Sequence, residues 1–116
     1  MERMMIVEDH SAFAQALGLV LGANTQISHA RTLREGRALL RNGEPFDLVV
    51  LDLSLPDGVG TDLVPEIRDR DPRTSVVVLS AREDIAEVAS EAGADATIPK
   101  ETPLPDIIAT LRGIAG

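Results

Sequence analysis

An α/β fold, doubly wound, with five parallel strands alternating with five helices, is what this sequence predicts. Leu48-Val49-Val50-Leu51 and Val76-Val77-Val78 are unbroken apolar runs of strand-forming residues. Apolarity without alternation marks strands covered on both faces, as in a parallel sheet between helical layers. Segments with apolar residues at helical spacing separate the strand candidates, and such alternation implies right-handed crossovers. The run into Asp52 stops abruptly, and Pro56, Asp57, Gly58 and Gly60 then mark a loop. Asp52 therefore belongs at the carboxyl end of a central strand, where open α/β sheets bind ligands.

Met4-Met5-Ile6-Val7 reads as the first strand, ending in the acidic pair Glu8-Asp9. Phe13, Leu17, Val20 and Leu21 give the inward stripe of a first helix that closes near Gly22. Gln26 to Ala30 is a weaker strand. Thr32 caps a second helix that turns Leu33, Gly36 and Leu40 inward and ends at Asn42-Gly43. After the strand into Asp52, a third helix begins at Gly60-Thr61, with Leu63, Val64 and Ile67 on one face. Pro65 falls near its first turn, where a missing N–H is tolerated. Thr74 to Leu79 is the fourth strand, ending at Ser80-Ala81. Ile85, Val88, Ala89 and Ala92 form a fourth helix ended by Gly93, and Ala96-Thr97-Ile98 is the last strand, running into Pro99-Lys100. Leu104, Ile107, Ile108, Leu111 and Ile114 are the stripe of the terminal helix.

The 116 residues fit one domain, read here as residues 1–116 with no second, output domain in the chain. There is no cysteine, so neither disulfides nor thiolate metal sites arise. The amino terminus is too short in apolar length for a signal peptide, and no stretch approaches the ~20 apolar residues of a membrane span. A soluble, cytoplasmic protein is expected. A net charge of -8 argues against direct nucleic-acid binding, which needs a basic face. The only aromatics, Phe13 and Phe46, read as core, which leaves no platform for stacking bases. Ten arginines accompany a single lysine, Lys100.

In a parallel sheet the strand carboxyl ends share one edge, so Glu8, Asp9, Asp52, Ser80 and Lys100 converge on one rim. At an effective dielectric of 20, two like charges ~4 Å apart repel by roughly 4 kcal/mol. Three carboxylates there need a proton or a hard divalent cation. An all-oxygen site that keeps waters suits Mg²⁺ awaiting phosphate oxygens. Lys100 adds a compact point charge and Ser80 a hydroxyl, so the set favours phosphate chemistry over proton abstraction.

Over essentially its whole length the chain resembles the receiver domain of bacterial two-component response regulators. The resemblance rests on Glu8-Asp9, on Asp52 within Leu51-Asp52-Leu53-Ser54-Leu55-Pro56-Asp57-Gly58, on Leu79-Ser80-Ala81, and on Lys100, each at a predicted strand end. Asp9-His10 and the Leu-Pro-Asp-Gly turn look most like receivers that precede helix-turn-helix output domains, implying transcription regulation. It implies a flavodoxin-like strand order, 2-1-3-4-5, and Asp52 as the phosphoacceptor for a histidine kinase. Asp9, Asp52 and the main-chain carbonyl of Ser54 would bind Mg²⁺ (or Mn²⁺), with Glu8 acting through water. Lys100 would hold a phosphoryl oxygen, and Ser80 would swing towards the attached group and remodel a partner-binding face. The protein would catalyse its own modification without being a turnover enzyme on outside substrates. Homodimerisation on phosphorylation and an output domain or separate effector are further implied partners. Ser54 and Arg82, two positions beyond Asp52 and Ser80, are where phosphoryl lifetime is expected to be tuned.

The chain departs from the family at Thr97, where a Tyr or Phe usually stands three residues before the lysine, and at Glu101, often Pro in the family. Each site residue alone has an ordinary reading: a helix cap for Asp52, a solvated turn for Glu8-Asp9, a turn residue for Ser80. His10 and His29 have no matched partner. An aspartyl-phosphate hydrolase would need an acid where Ser54 stands, and a flavin binder would need aromatics. The alternative that remains is a phosphorylation-independent binding module of the same fold.

Overall fold

The computed structural model describes residues 2–22 and 25–115. Five strands form one parallel sheet in the order β2-β1-β3-β6-β7: β1 (Glu2–Val7), β2 (Thr25–Ala30), β3 (Leu48–Leu51), β6 (Ser75–Ser80) and β7 (Ala96–Pro99). Counted within that sheet alone, this is the expected 2-1-3-4-5. The helices are α1 (Ser11–Leu21), α2 (Leu33–Arg41), α3 (Val64–Arg70), α4 (Ile85–Ala92) and α5 (Leu104–Ala115).

Strand pleating divides the core in two. Met4 and Ile6 of β1, Leu48 and Val50 of β3, and Val77 and Leu79 of β6 pack with Leu17 of α1 and Ile107 and Leu111 of α5. Their neighbours Met5, Val7, Val49, Leu51 and Val76 face the other way, onto Leu33 and Leu40 of α2 and Val64 and Ile67 of α3. A smaller cluster of Leu53, Val78, Ile85 and Ala89 seats α4. Every residue of β3 is buried, as its unbroken apolarity requires.

Two expectations need correction. Val20 is 42% exposed rather than part of the inward stripe. Leu17 and Leu21 sit one turn apart against the sheet, so Val20, about 100° round the helix from Leu21, points along the edge beside α5. The stretch after Asp52 is also more than a loop. Ser54–Leu55 (β4) and Gly58–Val59 (β5) pair antiparallel across Pro56-Asp57. Gly60–Leu63 then forms a 3₁₀ turn, and α3 proper starts only at Val64, with Pro65 in its first turn.

The hairpin is fastened to α2. Asp57 accepts the N–H groups of Leu33 at 2.8 Å and Arg34 at 3.1 Å, while Thr32, as expected, accepts that of Glu35 at 3.0 Å. The first three orphan amides of α2 are thereby satisfied. The Leu33 hydrogen bond holds the Asp57 carboxyl below the usual range. Its stabilising contribution is therefore complete above the ordinary Asp range and lost as pH falls through the lowered value. Asp57→Ala is expected to lower the melting temperature at neutral pH and to flatten this part of the acid limb. Circular-dichroism melts across pH test it, and an unchanged acid limb would contradict it.

Candidate functional site

The ends of four strands and the segments that follow them build a cleft of about 380 Å³ whose lining includes Asp9, Asp52, Ser54, Ser80, Arg82 and Lys100. Asp52 directly follows β3, and its N–H continues the sheet by donating to the Val7 carbonyl at 2.9 Å. The residue is 5% exposed, with its Oδ1 3.3 Å from the Ser54 N–H and its Oδ2 2.9 Å from Lys100 Nζ. Gly60 donates its N–H to the Leu53 carbonyl at 3.0 Å, folding the hairpin back under the site.

Glu8, 3% exposed, is the buried floor. Its Oε1 accepts the His10 N–H at 2.9 Å, and its Oε2 lies 2.7 Å from Lys100 Nζ. Lys100 therefore bridges two carboxylates, with its ammonium 5.2 Å from the Phe13 ring centroid. Asp9 is exposed at the rim. Ser80, 2% exposed, ends β6 rather than following it, and its Oγ accepts the Arg82 N–H at 3.3 Å.

The electrostatics follow from this packing. Burial pushes the Glu8 carboxyl above its ordinary range, reinforced by Asp52 and opposed by the Lys100 and His10 hydrogen bonds. Burial also pulls Lys100 down, but its hydrogen bonds to Glu8 and Asp52 outweigh that and leave it above the ordinary lysine range. Carboxylate oxygens of Glu8, Asp9 and Asp52 all lie within 4.8 Å of one another. Formally, three carboxylates against one ammonium leave two uncompensated negative charges, the charge of one divalent cation. An oxygen-only donor set with an open rim fits Mg²⁺.

The structure thus brings together all the residues singled out from the sequence: Glu8, Asp9, Asp52, Ser54, Ser80 and Lys100. Sequence reasoning missed the Asp57 cap, the clamp of Glu8 by the His10 backbone, and the pairing of Arg82 with Asp84. Only the first had a signal, an acidic residue in a Pro-Asp-Gly turn. Thr97 is exposed on β7.

Residues 4–112 match the response regulator receiver domain family. The chain belongs to that family. This receiver domain is 40% identical over 96 residues to the response regulator protein PilR of Pseudomonas aeruginosa, covering 80% of this chain and 21% of that protein. It is 35% identical over 115 residues to the KDP operon transcriptional regulatory protein KdpE of Escherichia coli, covering 97% of this chain and 50% of that one. The chain spans half or less of these relatives. Among solved structures it resembles a CheY-like receiver domain from Methanospirillum hungatei, with a TM-score of 0.89 and 25% identity over 99% of this chain and 94% of that one. The non-phosphorylated HemR receiver domain of Leptospira biflexa gives 0.88 and 31%, over 100% and 95%. The BeF₃-activated DrrB receiver domain gives 0.84 and 27%, over 98% and 97%. Receiver domains of two-component response regulators serve phosphorylation-dependent signalling, and that is the class of this chain. Among the described residues no helix is long and apolar enough to cross a membrane.

Lys100 is the receiver domain's internal counter-ion. Lys100→Met is expected to cost about 3–5 kcal/mol at neutral pH, because it leaves Glu8 and Asp52 buried without a cation. The loss should shrink as pH falls and Glu8, already raised by burial, takes up a proton. Conversely, the raised Lys100 stabilises the wild type below the unfolded lysine pKa, and this is lost as pH rises through the folded value. Melting curves across pH for both proteins test both limbs. A pH-independent deficit would refute the counter-ion role.

Proposed function

We propose that Asp52 accepts a phosphoryl group from a histidine kinase and that the receiver domain works as the resulting switch. What carries this reading is the site's charge: three clustered carboxylates against one ammonium, opening on a cleft of about 380 Å³. A carboxylate oxygen of Asp52 attacks phosphorus, and the bond from phosphorus to the kinase histidine nitrogen breaks. Asp9 and Asp52, with the Ser54 main-chain carbonyl, would hold Mg²⁺ or Mn²⁺, and Glu8 would act through water. The bound cation supplies neutralisation of negative charge on the transferring phosphoryl oxygens. Lys100 gives its ammonium to another of these oxygens, and Ser80 turns its hydroxyl towards the group once attached.

The phosphoryl group then changes the surface that partners read. The chain modifies itself and turns over no outside substrate. The switch acts in the cytoplasm, on a DNA-binding output domain in a longer chain or on a separate effector protein, with homodimerisation as one response. Intact mass after incubation with acetyl phosphate tests this. A phosphoryl adduct that forms roughly hundredfold or more slowly without Mg²⁺ is expected, from the several kcal/mol that a metal Lewis acid supplies. Folded protein that takes up no phosphoryl group would move the assignment to a phosphorylation-independent binding module.

A further inference from the structure

We propose that Arg82 is a phosphoryl-binding residue held back by Asp84, and that its transfer to the phosphoryl group hands Asp84 to the start of α4. The inference rests on the reading of Asp52 as phosphoacceptor. Arg82 lines the same cleft as Asp52, Ser80 and Lys100. Its guanidinium is gripped by Asp84 through two parallel contacts, Nε to Oδ1 at 3.0 Å and Nη2 to Oδ2 at 2.7 Å. The same fork fits two phosphoryl oxygens.

The grip is easily exchanged. The two side chains are 39% and 44% exposed, and water screens such pairs. A phosphoryl group on Asp52 presents more charge than the single negative charge of Asp84 and three strong acceptor oxygens, so it outcompetes the carboxylate from inside the cleft. Ser80 ties the exchange to phosphorylation. Its Oγ accepts the Arg82 N–H at a long 3.3 Å, so turning the hydroxyl inward releases the segment that carries Arg82.

Asp84 has somewhere to go. It immediately precedes α4, the position where a short acidic side chain ordinarily accepts an amide of the first turn. It makes no such bond, and its backbone, at φ -88° and ψ 14°, is not in the extended conformation of a capping residue. The carboxylate suited to cap α4 is occupied by Arg82. Once Arg82 leaves, rotation about ψ lets Asp84 cap the helix, and α4 tightens at its amino end. Exposed Thr97 provides no large side chain to carry a signal across β7. The Arg82–Asp84 exchange carries one to α4 by charge.

The test is binding of beryllofluoride, a phosphoryl stand-in, with Mg²⁺, followed by ¹⁹F NMR and calorimetry on the whole chain. Arg82→Ala is expected to weaken binding about tenfold, the scale of one hydrogen bond to a charged group, and Arg82→Lys to restore part of it. Asp84→Ala removes the competitor and should tighten binding several-fold, a direction that a merely structural role for Asp84 would not produce. Beryllofluoride should also raise hydrogen-exchange protection of the Ala86 and Glu87 amides in the wild type but not in Asp84→Ala. Wild-type affinity in Arg82→Ala, or weakened binding in Asp84→Ala, would overturn the proposal while leaving Asp52 as acceptor. A wild type that binds no beryllofluoride and takes up no phosphoryl group would overturn both readings.

Discussion

Asp52→Asn is expected to abolish the phosphoryl adduct that the wild type forms with acetyl phosphate and Mg²⁺. The substitution keeps the size of the side chain and replaces the nucleophilic carboxylate with an amide. Lys100 retains its 2.7 Å partner Glu8, so the ammonium stays placed and the fold should survive. The loss is then chemical, and a circular-dichroism melt within a few degrees of wild type would establish that. The neighbouring carboxylates make poor substitutes. Glu8 is buried and already bonded to Lys100 and the His10 N–H. An adduct of undiminished yield in Asp52→Asn would transfer the acceptor role to exposed Asp9 and overturn the assignment.

Gly60→Ala is the second change expected to have a large effect. A Cβ at Gly60 would sit 1.8 Å from the main-chain oxygen of Asp52 and 2.9 Å from its carbonyl carbon. No rotamer relieves a clash with backbone, so the chain between Asp52 and α3 has to move. About 3 kcal/mol or more is expected, at the upper end for overpacking. For a domain of this size that is roughly 10–20 °C in melting temperature. The displaced segment holds Asp52 and Ser54, so phosphoryl uptake should fall as well. Gly18→Ala is the matched control. Nothing lies within 4 Å of a Cβ at Gly18, and alanine in mid-helix gains about 0.5–1 kcal/mol. Equal melting temperatures for Gly60→Ala and wild type would refute the close approach.

Much of this was legible because a parallel sheet makes one demand on its central strands. Leu48–Leu51 and Val76–Val78 had to be apolar on both faces, and that run-on pattern is unlike any exposed segment of the chain. The polar residues ending those runs then had to share an edge, which is why Glu8, Asp9, Asp52, Ser80 and Lys100 could be grouped without coordinates. Val20 shows the limit. Helical periodicity reports which residues share a face, but the extent of cover depends on how far α5 reaches along α1. The β4–β5 hairpin shows another, since strands of two residues are too short to leave a pattern.

By itself the sequence determined the α/β class, the elements of the sheet, and the acids, hydroxyl and lysine at its edge, because burial and strand pleating impose a local pattern on each segment. Which charge answers which was decided only in three dimensions. Lys100 bridges Glu8 and Asp52, Asp57 caps α2 from a distant hairpin, and Arg82 rather than the helix amides takes Asp84. Hydrogen bonds and ion pairs act over about 3 Å and leave no periodicity along the chain, so only the folded arrangement selects among the possible partners.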